Sequence, residues 1–134
     1  MWTCPNCQRI FKSTNQSHSC TQVDMGELFL GKPDELVIAF DTILMGVADW
    51  EPNSVGTAKK AIVFTNKKAW LIIKPMSKEL DVKFYNDAPL DSSRFKKISP
   101  WGKRFAHHIR IQNELQLDDN FFELLKIGFD HAMS

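Results

Sequence analysis

Three cysteines and one histidine near the start of the chain have the residue types and spacing of a metal site. Cys4 and Cys7 form a C-x-x-C pair, and His18 and Cys20 follow as an H-x-C pair. All three cysteines of the chain are in this segment, and thiolate and imidazole are the ligands that zinc prefers. The spacing predicts one zinc ion bound by Cys4, Cys7, His18 and Cys20.

Four protein ligands leave no open coordination position, so we expect the zinc to be structural. The close spacing of His18 and Cys20 favours an extended segment, because residues i and i+2 share a face of a strand and point apart on a helix. Two alternatives remain for the cysteines. They could be a redox C-x-x-C, which is typical of a βαβ context that is not evident before Cys4, or unrelated buried thiols.

A second group of candidate residues lies late in the chain, where apolar and polar residues alternate between positions 104 and 112. Alternation predicts a strand with one polar face, which would carry Arg104, His108 and Arg110. Basic side chains on one face can contact phosphates, so this strand is a candidate surface for nucleic acid or another polyanion. The candidate residues are Lys96, Lys97, Lys103, Arg104, His108 and Arg110.

The same residues have other interpretations. The basic face could be a solvated surface whose lysines pair with acidic helices. His108 could act as an acid–base group, although the sequence shows no nucleophile or carboxylate partner for it. Its neighbour His107 would face the apolar side of the strand, where a buried structural histidine is expected. We therefore expect a non-enzymatic module and assign no catalytic residue.

Charge is sorted along the chain although the net charge is only +1. Residues 57–78 and 92–113 each carry six basic residues and no acid. Residues 24–51 hold seven acids against Lys32, and residues 114–134 hold five against Lys126. Such sorting predicts a folded surface with one basic and one acidic region.

The alternative function is a small-ligand or protein-interaction domain with a purely structural zinc. Its pocket would lie between the sheet and the helices, near Trp70, Tyr85 and Trp101. No phosphate-loop, dinucleotide-binding or hydrolase motif supports a more specific enzyme class.

Periodicity predicts the elements that would position these residues. A helix is expected from Pro33 to about Ala48, and a loop over 51–56. Strands are expected near 61–64, 70–73, 80–85 and 104–112, with 94–103 a short strand or loop, and a last helix is capped by Asp118 or Asp119. The order predicts an α+β fold: a mainly antiparallel sheet of four or five strands, with an N-terminal and a C-terminal helix on one face.

The domain organisation follows from these patterns. Residues 1–22 form the zinc-binding module, 23–31 a linker and 32–134 the α+β domain. Apolar residues make up 43% of the chain, which is enough for one core. No apolar stretch is long enough to span a membrane, and the first residues lack the pattern of a secretory signal, so we expect a cytoplasmic protein without a membrane partner.

The N-terminal motif also carries a resemblance. Trp2-Thr3-Cys4-Pro5-x-Cys7, Phe11 and Asn15-Gln16-Ser17-His18-Ser19-Cys20, followed by an acidic helix and basic strands, resemble an uncharacterised bacterial family. Its members join a short zinc-knuckle-like N-terminus to a domain of unknown function, sometimes labelled a predicted transport protein. The resemblance implies the fold and the metal, and no established activity.

Overall fold

The computed structural model describes residues 2–3, 10–11, 25–58 and 60–133. At the start of the chain, β1 (Trp2–Thr3) pairs antiparallel with β2 (Ile10–Phe11), with Trp2 opposite Phe11. By sequence, Cys4 and Cys7 lie in the segment that joins these two strands. The four predicted zinc ligands Cys4, Cys7, His18 and Cys20 lie outside the described residues.

The remaining elements form an α+β domain. A short 3-10 helix, Met25–Phe29, precedes α1 (Asp34–Val47), and another, Glu114–Gln116, precedes α2 (Asp119–Met133). The strands between the two helices are β3 (Ser54–Thr57), β4 (Ile62–Thr65), β5 (Ala69–Pro75), β6 (Leu80–Asn86), β7 (Phe95–Trp101) and β8 (Arg104–Ile111).

These six strands form one sheet in the order β3-β4-β5-β6-β8-β7, and every neighbouring pair is antiparallel. The predicted fold class is confirmed, but the expected count of four or five strands was too low. β3 overlaps the segment predicted as a loop, and β7 lies within the segment left as strand or loop. Both are edge strands, where Gly56 and Pro100 are tolerated because an edge strand needs hydrogen bonds on only one side.

Both helices pack on the same face of the sheet. α1 buries Leu36, Ala39, Phe40, Ile43 and Val47, at the spacing of a single helical stripe. The aromatic ring of Phe40 lies 6.4 Å from that of Phe64 in β4, and α2 packs over β5 and β6. The predicted arrangement of the helices is therefore confirmed.

The start of α2 is fixed by Asp118. Its carboxylate accepts a hydrogen bond of 3.0 Å from the backbone N–H of Phe121, as the capping prediction required. It also forms an ion pair with Arg94 at 2.5 Å. The Phe121 N–H bond, followed by the Arg94 contact, lowers the pKa of the Asp118 carboxyl.

No helix in the part of the chain that the structure describes is long and apolar enough to cross a membrane.

Candidate nucleic-acid interface

The face of the sheet opposite the two α-helices, here called the helix-free face, carries most of the polar strand residues. Side chains alternate along a strand, so residues of β5 to β8 that neighbour the helix-side positions point to this face. Its members include Ile72 and Lys74 in β5, Asp81, Lys83 and Tyr85 in β6, Arg104, Ala106, His108 and Arg110 in β8, and Lys97, Ser99 and Trp101 in β7.

Strand register arranges these side chains in rows across the sheet. In one row His108 lies between Lys83 of β6 and Lys97 of β7. In the next row Asp81 lies between Lys74 and Arg110. Directly opposed side chains have Cβ atoms about 5 Å apart, so Lys83 and Lys97 lie close to His108 on either side.

The six strands and the two α-helices carry opposite charge. The strands contain one acidic residue, Asp81, and the α-helices contain one basic residue, Lys126. The strands hold Lys74, Lys83, Lys96, Lys97, Arg104 and Arg110, whereas the α-helices hold Asp34, Glu35, Asp41, Asp119, Glu123 and Asp130. The charge sorting seen in the sequence thus becomes a difference between the sheet and the helical layer.

Asp81 is already engaged by two partners on its own face. Its Oδ1 accepts a hydrogen bond of 2.9 Å from Nε of Arg110, and both of its oxygens lie 3.1 Å from Nδ1 of His108. The guanidinium of Arg110 also donates to Glu79 at 3.0 Å. The acid therefore orients two strand residues and neutralises part of the charge, while the other cations of the face stay in excess.

The contact with Asp81 defines the geometry of the His108 ring. A carboxylate at Nδ1 makes that nitrogen the protonated one, which leaves Nε2 as an acceptor in the neutral ring. Sequence reasoning missed this carboxylate partner. The alternation of residues 80–85 placed Asp81 on a polar face, but the pairing of β6 with β8, which sets Asp81 beside His108, has no local sequence signal.

A cluster of aromatic and cationic side chains lies at the other end of the face. The guanidinium carbon of Arg104 lies 4.6 Å from the ring centroid of Tyr85. Nζ of Lys83 lies 5.7 Å from the Tyr85 ring and 6.0 Å from that of Trp101. Tyr85 is buried beneath these neighbours, but Trp101 remains 59% exposed. An exposed indole among cations can stack on a nucleobase while the cations contact phosphates.

Four of the six residues predicted to bind a polyanion lie together on the helix-free face: Lys97, Arg104, His108 and Arg110. Lys96 is the extra residue of a bulge in β7, where the register shifts between Phe95 and Lys97. Lys103 is exposed in the turn between β7 and β8. The structure also places Lys74 and Lys83 on this face. Sequence reasoning did not select them, because the strands were predicted singly and their order in the sheet was not.

The predicted ligand pocket is not assembled. Trp70 lies on the helix side of the sheet, where its ring is 5.1 Å from Phe129 and 5.9 Å from Trp50. It is fully buried, and its indole N–H donates to Asn53. Tyr85 and Trp101 are on the opposite face, so the three aromatic residues cannot line one pocket.

His107 is a core histidine, as its position on the apolar side of β8 predicted. Its ring is fully buried and stacks on Phe84 at 5.2 Å. Nε2 accepts a hydrogen bond of 3.0 Å from the backbone N–H of Leu90, and Nδ1 lies 3.0 Å from the carbonyl oxygen of Phe105. Burial lowers the pKa of His107, which favours the neutral form of the ring.

Within residues 25–58 and 60–133, no group of three or more histidine, cysteine, aspartate or glutamate side chains is placed to hold a metal ion. The zinc prediction concerns only the N-terminal ligands, which are outside the described residues, and it stays a prediction.

Comparison with known proteins identifies the family. Residues 25–132 match the family described as Domain of unknown function (DUF5655), and the chain belongs to that family. No curated protein and no solved structure matches the chain.

Proposed function

We propose that this protein is a non-enzymatic module that binds single-stranded nucleic acid on the helix-free face of its sheet. The observation that carries the proposal is the charge content of that face. Lys74, Lys83, Lys97 and Arg104 have no acidic strand residue to pair with, because the only such residue, Asp81, is bonded to His108 and Arg110. Cations in excess on one face favour binding to phosphates.

The aromatic residues favour a single strand over a duplex. Trp101 is more than half exposed at the β7–β8 end of the face, beside Arg104. A base must be unstacked from a duplex before it can stack on a side chain, and the bases of a single strand are accessible. The antiparallel strands offer a broad surface of this kind.

Zinc belongs to the proposal as a structural element. Cys4, Cys7, His18 and Cys20 would hold one ion and so stabilise a segment too short to fold by burial of apolar surface alone. The antiparallel pairing of β1 with β2 supports this idea, because it places Thr3 opposite Ile10, the residues on either side of the segment that contains Cys4 and Cys7. Thiolate ligands fit a reducing compartment, so we propose a cytoplasmic location.

A protein-interaction domain is the second candidate function, and exposed apolar side chains favour it. Ile38 and Met45 of α1 are 47% and 78% exposed, and Leu115 of the nearby 3-10 helix is 89% exposed. The hydroxyl of Thr42 donates to Glu114, which ties that helix to α1. Such a surface could meet a protein partner without using the helix-free face.

Fluorescence anisotropy with a labelled oligouridylate of about 12 nucleotides tests the proposal, because affinity set by phosphate contacts falls steeply with salt. We expect binding that weakens at least tenfold between about 50 and 200 mM salt. Lys97→Glu should weaken it further, since Lys97 is exposed and lies on the face.

Lys67→Glu is the matched control, because Lys67 is also exposed but lies in the turn between β4 and β5. It changes the net charge by the same amount and should leave affinity nearly unchanged. An equal loss of affinity for the oligouridylate in both variants would indicate a general charge effect and contradict the proposed surface. Absence of binding to any single strand at low salt would contradict the function itself.

A further inference from the structure

The row formed by Lys83, His108 and Lys97 contains a ring nitrogen, Nε2 of His108, for which phosphate binding by the lysines gives no role. Nδ1 of His108 is directed at Asp81, so Nε2 lies on the other side of the ring. No group in the described part of the chain is hydrogen-bonded to Nε2. The His108 side chain is 11% exposed to solvent.

The position of the His108 ring is fixed by a chain of hydrogen bonds and by strand pairing. Asp81, which bonds Nδ1, is itself held by Nε of Arg110, and Arg110 is held by Glu79. Backbone pairing of β8 with both β6 and β7 fixes the strand itself. A ring fixed in this way presents Nε2 in one direction, which a flexible lysine does not do.

The surroundings of Nε2 define which ligand group it can recognise. Lys83 and Lys97, on either side, carry only donors and suit phosphate oxygens. The neighbouring position along β8 is Ala106, which is buried, and its partner in β7 is Ser99. The site thus combines one imidazole nitrogen with two ammonium groups.

We propose that His108 distinguishes RNA from DNA by a hydrogen bond between its Nε2 and a ribose 2′-hydroxyl, while Lys83 and Lys97 hold the adjacent phosphates. A 2′-hydroxyl both donates and accepts, so it can bond to Nε2 in the neutral ring and in the protonated ring. A 2′-deoxy strand offers the same kind of phosphate but carries only hydrogen at this position, so it cannot form the bond. The inference rests on the proposed function and assigns it RNA as the ligand class.

Three oligonucleotides that differ only at the 2′ position test the assignment: oligouridylate, its 2′-deoxy form and its 2′-fluoro form. The 2′-fluoro form keeps an RNA-like sugar conformation but cannot donate a hydrogen bond. We expect the ribose form to bind roughly three- to tenfold more tightly than the other two, the range of one net hydrogen bond. Equal affinity for all three would overturn the inference and leave the proposed function intact.

His108→Phe identifies the atom responsible. It removes both ring nitrogens, so the variant should bind the ribose form only as tightly as wild-type protein binds the deoxy form. Affinity for the deoxy form itself should stay within about twofold, because the lysines are unchanged. A ribose preference that survives in His108→Phe would overturn the inference.

A measurement on the wild-type protein covers the case in which His108→Phe does not fold. In a long-range ¹H–¹⁵N imidazole spectrum, the ribose form should shift the Nε2 resonance of His108, whereas the deoxy form should not. Equal shifts with both oligonucleotides would overturn the inference. Failure of every oligonucleotide to bind would instead overturn the proposed function on which it rests.

Discussion

Two adjacent histidines of β8 have opposite environments because neighbouring strand residues face opposite sides. His107 is enclosed by Phe84 and Phe95 on the helix side, and both of its nitrogens have backbone partners. His108 faces Asp81 on the other side. One ring is therefore part of the core, and the other is available to the candidate interface.

The lowered pKa of His107 makes stability depend on pH. In the unfolded chain the His107 ring takes up a proton near pH 6.5, whereas the buried ring of the folded protein resists protonation. The contribution of His107 to the unfolding free energy is therefore fully present above about pH 6.5, and it is lost as pH falls through the folded pKa. Urea unfolding at about pH 7 and about pH 5 should show this fall in wild type and a smaller fall in His107→Phe.

The comparison with His107→Phe cancels the effect of the other titrating groups, which both proteins share. The unfolding free energy of the variant should also be about 1–3 kcal/mol lower at neutral pH, because the Leu90 N–H loses its acceptor. An identical pH dependence in both proteins would show that His107 is not the group involved.

Trp101 carries the stacking part of the proposal. Trp101→Ala should weaken binding of a single strand by about 1–3 kcal/mol, the range of one base–aromatic stack. Because the side chain is 59% exposed, the unfolding free energy should change by less than about 0.5 kcal/mol. Anisotropy and thermal melting measure the two quantities.

Leu115→Ala provides the matched control for Trp101→Ala, since Leu115 is also exposed but lies away from the helix-free face. Equal weakening by both substitutions would argue against stacking on Trp101.

At the scale of elements, α2 approaches β6 closely at one glycine. A Cβ at Gly128 would lie 2.7 Å from Cδ2 and 2.9 Å from Cβ of Phe84. These atoms are near the base of the Phe84 side chain, so they cannot swing aside. Gly128→Ala should lower the unfolding free energy by about 1–3 kcal/mol, despite the better helix propensity of alanine.

Gly56→Ala in β3 is the control for Gly128→Ala, because nothing lies within 4 Å of a Cβ built at Gly56. Urea unfolding should place this variant within about 0.5 kcal/mol of wild type. If Gly128→Ala were equally neutral, the packing of α2 on β6 would have to be looser than the structure shows.

The proposed zinc module is a separate element with its own test. Cys7→Ser should abolish zinc in metal analysis of the purified protein, because three remaining ligands leave the tetrahedral site open. Ser19→Ala changes the residue between His18 and Cys20 without removing a ligand, and it should keep one zinc ion per chain. One-to-one zinc in Cys7→Ser would contradict the assignment.

The elements that could be predicted from sequence are those with strong local patterns. α1 was expected from Pro33 to about Ala48 and extends over Asp34–Val47. β3 was missed because Pro52 and Gly56 resemble turn residues, and only its pairing with β4 makes it a strand. The placement of β8 between β6 and β7 is a tertiary fact, which is why Asp81 was not recognised as the partner of His108.

For the whole molecule, charge is divided between two layers. The strands of the sheet have six cations against one acid and the α-helices six acids against one cation, although the net charge is only +1. Net charge alone would not suggest a polyanion ligand, but the local field of a basic face attracts one. In the proposed function, the acidic helices would repel a polyanion on their side of the molecule, so we expect binding on the helix-free face.

The central claim is that this face is where a single strand binds, and amide chemical-shift mapping tests it most directly. Titration of ¹⁵N-labelled protein with the oligouridylate should shift amides of β6, β7 and β8 and the Trp101 indole N–H, while α1 and Leu115 stay unchanged. Shifts concentrated on α1 and Leu115, or no shifts at all, would contradict the account.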